Sequence, residues 1–128
     1  MRCPCLSGDT YDACCGPLLA GDSSAPTAER LMRSRFTAFA VGDADHLLRS
    51  WHPSTRPSHL ELDDAVRWTR LEIFETEAGG PFDTIGFVSF EAFYREEGTQ
   101  SSVKERSRFV REDRVWSYVD GAPELPSR

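Results

Sequence analysis

All four cysteines of the 128-residue chain lie within its first fifteen residues, and this cluster constrains the fold more than any other feature. Cys3 and Cys5 flank a proline, and the adjacent pair Cys14 and Cys15 follows after eight residues. A disulfide within either pair would be strained, and cross-pairing is disfavoured where thiols stay reduced. Four thiolates around Zn²⁺ at about 2.3 Å form a closed tetrahedral site. The spacing predicts one structural zinc ion per chain.

Two other interpretations of the cluster remain open from the residues alone. In the first, the four thiols are free groups on a loose N-terminal arm. In the second, they are the reactive groups of a redox sensor. If zinc is bound, four cysteine ligands leave no open coordination position for catalysis. The cluster therefore predicts a structural metal more strongly than a catalytic one.

Length and charge exclude several classes of protein. A chain of 128 residues with 39% hydrophobic residues is suited to a single core of ordinary size. Its net charge of −6 argues against nucleic-acid binding, which needs a basic surface. The sequence has no apolar run long enough for a membrane span, and residues 1–5 lack the apolar segment of a secretory signal. We expect a cytoplasmic protein.

The first half of the chain has helical periodicity. Cys14 and Cys15 are expected to end a short helical turn that is stopped by Gly16-Pro17. Thr27 is the predicted N-cap of a longer helix that ends at Gly42, and Asp43 is the predicted N-cap of another that Pro53 closes. The longer helix carries apolar residues at helical spacing, namely Leu31, Met32, Phe36, Phe39 and Ala40.

The second half has the pattern of strands joined by hairpins. The predicted strands are residues 65–77, 84–96, 101–112 and 115–120, followed by an irregular tail from Gly121. The second strand is apolar on both faces, so we expect it to be central. Helices followed by an antiparallel meander predict an α+β domain with helices packed on one face of the sheet. We divide the chain into a metal-binding segment, 1–17, and a domain, 18–128.

The N-terminal segment resembles the SEC-C zinc motif, which reads C-P-C-x-S-G-x-x-Y-x-x-C-C-G in this chain. The four cysteines fall on its ligand positions, and Ser7, Gly8, Tyr11 and Gly16 fall on its other recurrent positions. Leu6 stands where a glycine is usual, and residues 9–13 are acidic where such motifs are usually lysine-rich. In some proteins the motif recruits a partner such as a secretion chaperone. The acidic middle disfavours such recruitment here and is compatible with a structural role.

The remaining chain resembles the nuclear-transport-factor-2-like (cystatin-like) cone, and more closely the YchJ-like family of uncharacterised bacterial proteins. The motifs that carry this resemblance, in order, are LMRSRFTAF at 31–39, WHP at 51–53, IGFVSF at 85–90, ERSRF at 105–109 and WSYVDG at 116–121. The resemblance implies a SEC-C motif joined to helices packed on a bent antiparallel sheet. Cone domains often pair through the open sheet face, so it also allows a homodimer. It implies a fold and a metal, but no activity.

A cone fold usually encloses a cavity between the helices and the concave face of the sheet. Arg35 lies on the apolar face of the long helix, where a buried guanidinium needs a carboxylate. Glu105 and Asp120 are the candidate partners. The arrangement indicates either a pocket that binds an anionic ligand or an internal ion pair that fixes the helix to the sheet, and the ion pair is favoured.

Aromatic residues and a histidine complete the candidate pocket. Trp116 and Tyr118 alternate with Asp120 along one strand, so all three are predicted to face the same side, as pocket or as core. His52, next to Trp51 at a helix end, is either a general base or a packed cap. The candidate pocket residues are Arg35, Trp51, His52, Glu105, Trp116, Tyr118 and Asp120. The other two histidines, His46 and His59, are predicted at the surface.

Three functions are consistent with these observations. The favoured one is a zinc-binding small domain that binds a small-molecule ligand or acts as an adaptor for a protein partner. The second is a small cone-fold enzyme that applies acid–base chemistry to a small organic substrate, using Arg35, His52 and either Glu105 or Asp120. The third is a thiol-based redox or metal-responsive protein. Whether the chain is an enzyme is left open, because a fold alone does not determine a function.

Overall fold

The computed structural model describes residues 1–123, with three helices followed by four strands. The elements are α1 (Gly16–Ala20), α2 (Ala28–Val41), α3 (Ala44–Arg49), β1 (Val66–Ala78), β2 (Ile85–Glu96), β3 (Thr99–Glu112) and β4 (Val115–Pro123). The strands form one antiparallel sheet in the order β1-β2-β3-β4. This is the predicted α+β arrangement. No helix in the described part of the chain has the length and apolar character needed to cross a membrane.

Local capping signals determine where α2 and α3 begin. The Thr27 hydroxyl accepts a hydrogen bond from Arg30 N at 3.1 Å, and the Asp43 carboxylate accepts one from His46 N at 3.0 Å. Both N-caps are confirmed, as is the end of α2 at Gly42, whose φ of 82° suits glycine. The predicted end of α3 at Pro53 is wrong. The helix ends at Arg49, because the Ser50 hydroxyl turns back to donate to His46 O at 2.7 Å.

The first helix corrects a prediction. Gly16-Pro17 was expected to stop a helical turn, but it begins α1. Proline is favoured in the first turn of a helix, because the N–H that it lacks would have no partner inside the helix. Gly21, with φ of 81°, ends the helix in the left-handed conformation.

Two hairpins join the last three strands through two-residue turns. Glu97 and Gly98 have φ of 52° and 81°, and Asp113 and Arg114 have φ of 51° and 68°. Positive φ at both central residues is typical of the turns that match strand twist. β3 therefore begins two residues earlier than the predicted 101. β4 continues through Pro123, so Gly121 belongs to a strand and not to an irregular tail, while residues 124–128 of the predicted tail lie outside the described residues.

A bulge in β4 reverses the alternation of its side chains. Arg108 pairs with Asp120, but the next residue, Phe109, pairs with Tyr118, so Val119 is an extra residue on β4. Tyr118 consequently faces the helices, whereas Asp120 faces away from them. The prediction that Asp120 shares a side with Trp116 and Tyr118 is therefore wrong.

The loop after α3 closes the cone by adding to the edge of the sheet. Trp51 forms a parallel bridge with Tyr118 on the edge strand β4. His52 N donates to Tyr118 O at 2.7 Å, and Tyr118 N donates to Ser50 O at 2.8 Å. The helices are thus held over the concave face of the sheet. One hydrophobic core includes the four cysteines together with residues of α2 and the sheet.

Candidate metal centre and cone cavity

The four cysteine sulfurs converge at one point. All four Sγ atoms lie within 4.8 Å of one another, and all four residues are buried. The Cys5–Cys14 and Cys14–Cys15 Sγ separations are 3.7 and 3.9 Å. A tetrahedral site with Zn–S bonds of about 2.3 Å places its sulfurs about 3.8 Å apart. The side chains therefore fit a four-thiolate metal centre.

Backbone hydrogen bonds shape the loop that carries these ligands. Cys3 N donates to Asp9 O at 3.0 Å, and Gly16 N donates to Tyr11 O at 2.8 Å. A Cβ added at Gly16 would lie 2.8 Å from Tyr11 O, so only glycine allows this approach. Leu6 has φ of 62°, in the left-handed region that glycine prefers. This explains why a glycine is usual at that position of the motif.

Hydrogen bonds and burial shift the pKa values of thiols in the cluster in opposite directions. The pKa of Cys5 is lowered to about 4, mainly by a hydrogen bond from the Cys15 thiol. The pKa of Cys15 is raised because its thiol donates to Cys5 and because it is buried, and burial also raises the pKa of Cys14. A bound dication would lower the pKa of the other thiols. Ser7 Oγ, 3.2 Å from Cys14 Sγ, supports that ligand without joining the cluster.

Arginines on α2 attach the cysteine loop to the rest of the fold. Arg33 Nη1 donates to Cys5 O at 3.0 Å, and Arg30 Nη2 donates to Cys14 O at 3.4 Å. The Arg33 guanidinium is oriented by an ion pair with Glu29 at 3.1 Å. The cysteine cluster is thus joined to the same helix that carries Arg35.

A cavity of about 180 Å³, the cone cavity, lies between α2 and the concave face of the sheet. Aromatic side chains form most of its wall, and a few polar groups interrupt them. Its lining residues are Met32, Arg35, Phe36, Phe39, Trp51, Trp68, Phe90, Ala92, Val103, Glu105, Ser107 and Tyr118. Cavities of about 150 Å³ admit benzene, so this one has room for a single six-membered ring with a small substituent.

Arg35 is the buried charge of the cone cavity, with 4% of its surface exposed. Its Nη1 donates to Leu47 O at 2.8 Å and to Ser50 Oγ at 2.7 Å. Its guanidinium also stacks on the rings of Trp51 and Tyr118. Burial lowers the pKa of Arg35 to about 10, so the group stays protonated at neutral pH. Within residues 1–123 no carboxylate lies within 4.0 Å of it, so the favoured internal ion pair is not formed.

Glu105 is the second charged group of the cavity. The Ser107 hydroxyl donates to its carboxylate at 2.6 Å. A Cβ at Gly121 would overlap the carboxylate, so a glycine on β4 leaves the space that Glu105 occupies. Burial, followed by the nearby Glu105 charge, raises the pKa of Tyr118 to about 12. The buried Nε1 of Trp51 has no hydrogen-bond partner within the described residues.

The structure brings together four of the seven predicted pocket residues: Arg35, Trp51, Glu105 and Tyr118 line the cone cavity. His52 does not, because its ring bonds Glu112 Oε1 at 2.8 Å and Ser54 Oγ at 2.7 Å on the loop outside. Asp120 is exposed on the face of the sheet that points away from the helices, because of the bulge at Val119. There it pairs with Arg108 at 3.0 Å.

Trp116 is buried but lines another cavity, between α1, α3 and the start of β4. His46 is also buried, not at the surface as predicted, and its Nε2 lies 2.9 Å from Ser34 Oγ. His59 is exposed as predicted.

Phe36 and Phe39 were predicted on the apolar face of the long helix, and Trp68 lies on β1. All three line the cone cavity, because the bent sheet brings β1 across the apolar face of α2. The Trp68 ring centre lies 6.3 Å from that of Phe36 and 5.8 Å from that of Phe39. An apolar helical stripe does not by itself distinguish a filled core from a cavity wall.

These features define a protein in which a SEC-C motif precedes a nuclear-transport-factor-2-like domain. The SEC-C motif model matches residues 2–17, and the model of the YchJ middle NTF2-like domain matches residues 27–121. The chain is 53% identical over 119 residues to a UPF0225 protein of Streptomyces coelicolor, covering 93% of each. It is 55% identical over 122 residues to one of Corynebacterium efficiens, covering 94% of this chain and 92% of that one. The chain belongs to the UPF0225 family.

Two solved structures share the fold. The solution structure of a SEC-C motif containing protein of Rhodopseudomonas palustris aligns with a TM-score of 0.85 and 34% identity, covering 98% of this chain and all of that one. The crystal structure of a SEC-C motif containing protein of Psychrobacter arcticus aligns with a TM-score of 0.75 and 22% identity, covering 98% of this chain and 84% of that one. At 22% identity, the match to the Psychrobacter arcticus protein shows a shared fold only.

Proposed function

We propose that this protein is a cytoplasmic ligand-binding protein in which one structural zinc ion at Cys3, Cys5, Cys14 and Cys15 supports a cone that binds a small planar molecule. The observation that carries the ligand-binding proposal is Arg35, a buried cation that lines the cone cavity without a carboxylate partner among the described residues. The carbonyl and aromatic groups around the Arg35 guanidinium are neutral. They therefore hold the side chain without cancelling its charge, which stays available to a ligand.

The donor set supports zinc in a structural role. Thiolates select zinc over the harder cations, and a four-cysteine site has no open position for a substrate. Each cysteine has at most 2% of its surface exposed, which disfavours a thiol switch because oxidants need access to a thiolate. The hydrogen bonds to Arg30 and Arg33 connect the zinc segment to α2. Zinc binding would therefore stabilise the helix that carries Arg35.

The polar groups of the cone cavity indicate the ligand's polar edge. The Arg35 guanidinium offers donors, while the carboxylate of Glu105 offers an acceptor. A carboxylate ligand would meet the negative charge of Glu105, and an ammonium ligand would meet the positive charge of Arg35. A carboxamide or lactam edge satisfies both, with its carbonyl toward the donors and its N–H toward Glu105.

Binding is favoured over the alternative of acid–base catalysis. The described residues that line the cone cavity include no histidine, and His52 lies outside on a loop. The Glu105 carboxylate accepts a hydrogen bond from Ser107, which orients it as an acceptor. The proposal therefore assigns no residue of this cavity as a general base.

Three benzene derivatives of similar size test the ligand proposal with the zinc-loaded protein. Benzamide, benzoate and benzylamine are titrated by calorimetry, and we expect benzamide to bind about tenfold or more tightly than the other two. Glu105→Gln removes the carboxylate and is expected to weaken this preference over benzoate. Glu112→Gln, a change outside the cavity, is the matched control and should leave the order unchanged. Equal affinity for all three compounds, or no binding of any, would contradict the proposal.

A further inference from the structure

One face of α2 lies against the cysteine loop. Arg30, Arg33 and Thr37 recur at spacings of three and four residues, so they share one side of the helix. The two arginines donate to the loop backbone, at Cys14 O and Cys5 O. Thr37 differs from them, because its hydroxyl contacts a sulfur atom and not the backbone. Its contribution to the candidate metal centre is therefore separate from that of the arginines.

The Thr37 side chain is fully buried, with none of its surface exposed. Its Oγ1 lies 3.7 Å from Cys3 Sγ, and the Cys15 thiol is a second hydrogen-bond partner. Hydrogen bonds to sulfur are longer than those to oxygen, because the sulfur atom is larger. A buried hydroxyl needs a partner. The partners of this one are two of the predicted zinc ligands.

A hydroxyl on a helix has another partner close at hand. Serine and threonine side chains within helices often donate to a carbonyl of the preceding turn. Ser34, which is equally buried on α2, does so by donating to Leu31 O at 2.7 Å. Thr37 bonds sulfur instead. Its hydroxyl is therefore directed at the cysteine cluster.

Metal binding would fix the direction of this hydrogen bond. A cysteine that binds Zn²⁺ has lost its proton, so Cys3 can then only accept and the Thr37 hydroxyl must donate. Four thiolates carry more negative charge than one Zn²⁺ neutralises, so a buried centre of this kind needs donors around it. Within the cysteine loop, Ser7 Oγ lies 3.2 Å from Cys14 Sγ. Thr37 is the corresponding donor from α2 to Cys3.

We infer that Thr37 is a positioning residue of the metal centre, with its hydroxyl donating to the Cys3 thiolate and holding it toward the ion. The inference rests on the zinc site of the proposed function and adds to it a group from outside residues 1–17. Groups that bond the ligands of a metal typically change its affinity about 10–100-fold. The inference does not depend on the ligand proposed for the cone cavity.

Thr37→Val tests the hydroxyl, because valine keeps the size and branching of threonine. The zinc affinity of the whole chain is measured by competition with a chelator of known affinity, and we expect it to fall about 10–100-fold. Thr37→Ser keeps the hydroxyl and should bind zinc nearly as tightly as the wild type. Ser34→Ala is the matched control, since it removes an equally buried hydroxyl of α2 that does not bond sulfur. Its zinc affinity should be unchanged.

Cobalt provides a readout that a merely structural role of Thr37 would not move. Co²⁺ binds the same kind of site as Zn²⁺ but is coloured, and its thiolate complexes have a sulfur-to-metal charge-transfer band. A thiolate that loses a hydrogen bond gives up electron density more readily. Thr37→Val should therefore shift this band to longer wavelength, while Thr37→Ser and Ser34→Ala should leave it in place.

The possible results separate this inference from the proposal of a zinc site. A wild type that binds neither zinc nor cobalt would overturn both. A wild type that binds both metals, with the same affinity and the same band in Thr37→Val, would overturn the inference alone. Equal losses of zinc affinity in Thr37→Val and Ser34→Ala would also overturn it. If Thr37→Val does not fold, Thr37→Ala and Thr37→Ser differ only in the hydroxyl, and their comparison decides in the same way.

Discussion

The guanidinium of Arg35 lies 4.4 Å from the ring centre of Tyr118, and this contact joins the long helix to the edge strand. The Trp51 ring lies 5.0 Å from the same guanidinium, on the segment that pairs with Tyr118. Nη1 of Arg35 also donates hydrogen bonds to Leu47 O and Ser50 Oγ at the end of α3. A single arginine therefore holds three elements of the cone around the cavity that it lines.

Arg35→Lys is expected to lower the free energy of unfolding by about 2 kcal/mol. Lysine keeps the charge but lacks the planar fork that reaches Leu47 O and Ser50 Oγ while stacking on Tyr118. Urea unfolding of the zinc-loaded protein measures the change. Arg70→Lys is the control, since Arg70 also stacks on a ring, that of Phe93 at 4.1 Å, but is exposed. A similar loss in both variants would contradict the assigned role of Arg35.

Cys14→Ser is expected to abolish stoichiometric zinc binding and to lower the melting temperature. The free energy of metal binding contributes directly to folding when the ligands are assembled only in the folded state. Metal analysis of the purified protein should give about one zinc per chain for the wild type and almost none for the variant.

Ser7→Ala is the matched control for that experiment. Ser7 Oγ lies 3.2 Å from Cys14 Sγ but is not one of the four ligands, so the variant should keep its zinc with an affinity about 10–100-fold lower. An unchanged melting temperature in Cys14→Ser, or loss of zinc from Ser7→Ala as complete as from Cys14→Ser, would argue against the assigned centre.

Leu6→Gly is expected to stabilise the protein by about 1 kcal/mol. Leu6 has φ of 62°, a conformation that costs a side chain with a Cβ about 1–2 kcal/mol, and the greater freedom of glycine in the unfolded chain offsets part of the gain. Chemical unfolding of the zinc-loaded protein is the measurement. Leu6→Ala keeps the Cβ and should not be stabilised. The explanation is wrong if the alanine and glycine variants are equally stable.

His46 is expected to make stability fall at acidic pH. Burial, followed by the Arg49 charge, lowers its pKa to about 4 from an ordinary 6.5, with a further lowering from Arg35 and an opposing effect of Asp43. Between these values the unfolded chain binds a proton that the folded chain does not. The free energy of unfolding is therefore unaffected above pH 6.5 and falls by about 3 kcal/mol as the pH drops to 4.

His46→Gln is the comparison for this pH dependence. Glutamine can donate an N–H to Ser34 Oγ, as His46 Nε2 does, but it does not titrate. Any metal that is lost as the cysteines take up protons is lost from both proteins, so the difference between their curves of unfolding free energy against pH isolates His46. Parallel curves from pH 7 to pH 4 would show that His46 does not titrate as expected.

The parts of the fold that could be predicted from the sequence are those determined by residues close together along the chain. Thr27 and Asp43 cap helices within three residues of themselves, so a short stretch contains the whole signal. The end of α3 could not be predicted in this way, because it depends on where the Ser50 hydroxyl turns and on the pairing of Trp51 with a strand far along the chain.

The candidate site was predictable only in part for a similar reason. The parity of Tyr118 and Asp120 suggested a shared side, but a bulge at Val119 separates them, and bulges leave little trace in a sequence. His52 was predicted as either a general base in the pocket or a packed cap, and its ring instead bonds Glu112 on β3. Glu105 reaches the cavity because the residue opposite its carboxylate is Gly121.

The sequence by itself determined the cysteine cluster, the helix starts, the order of the strands and the family, because each depends on residue types at fixed spacings. Only the tertiary structure decided which polar side chains share a cavity. That choice depends on the bend and the bulges of the sheet, which bring together residues as distant as Arg35 and Glu105. It also decided that a stack of aromatic rings, and not a carboxylate, accompanies the buried guanidinium, since burial and direction are properties of the packed chain.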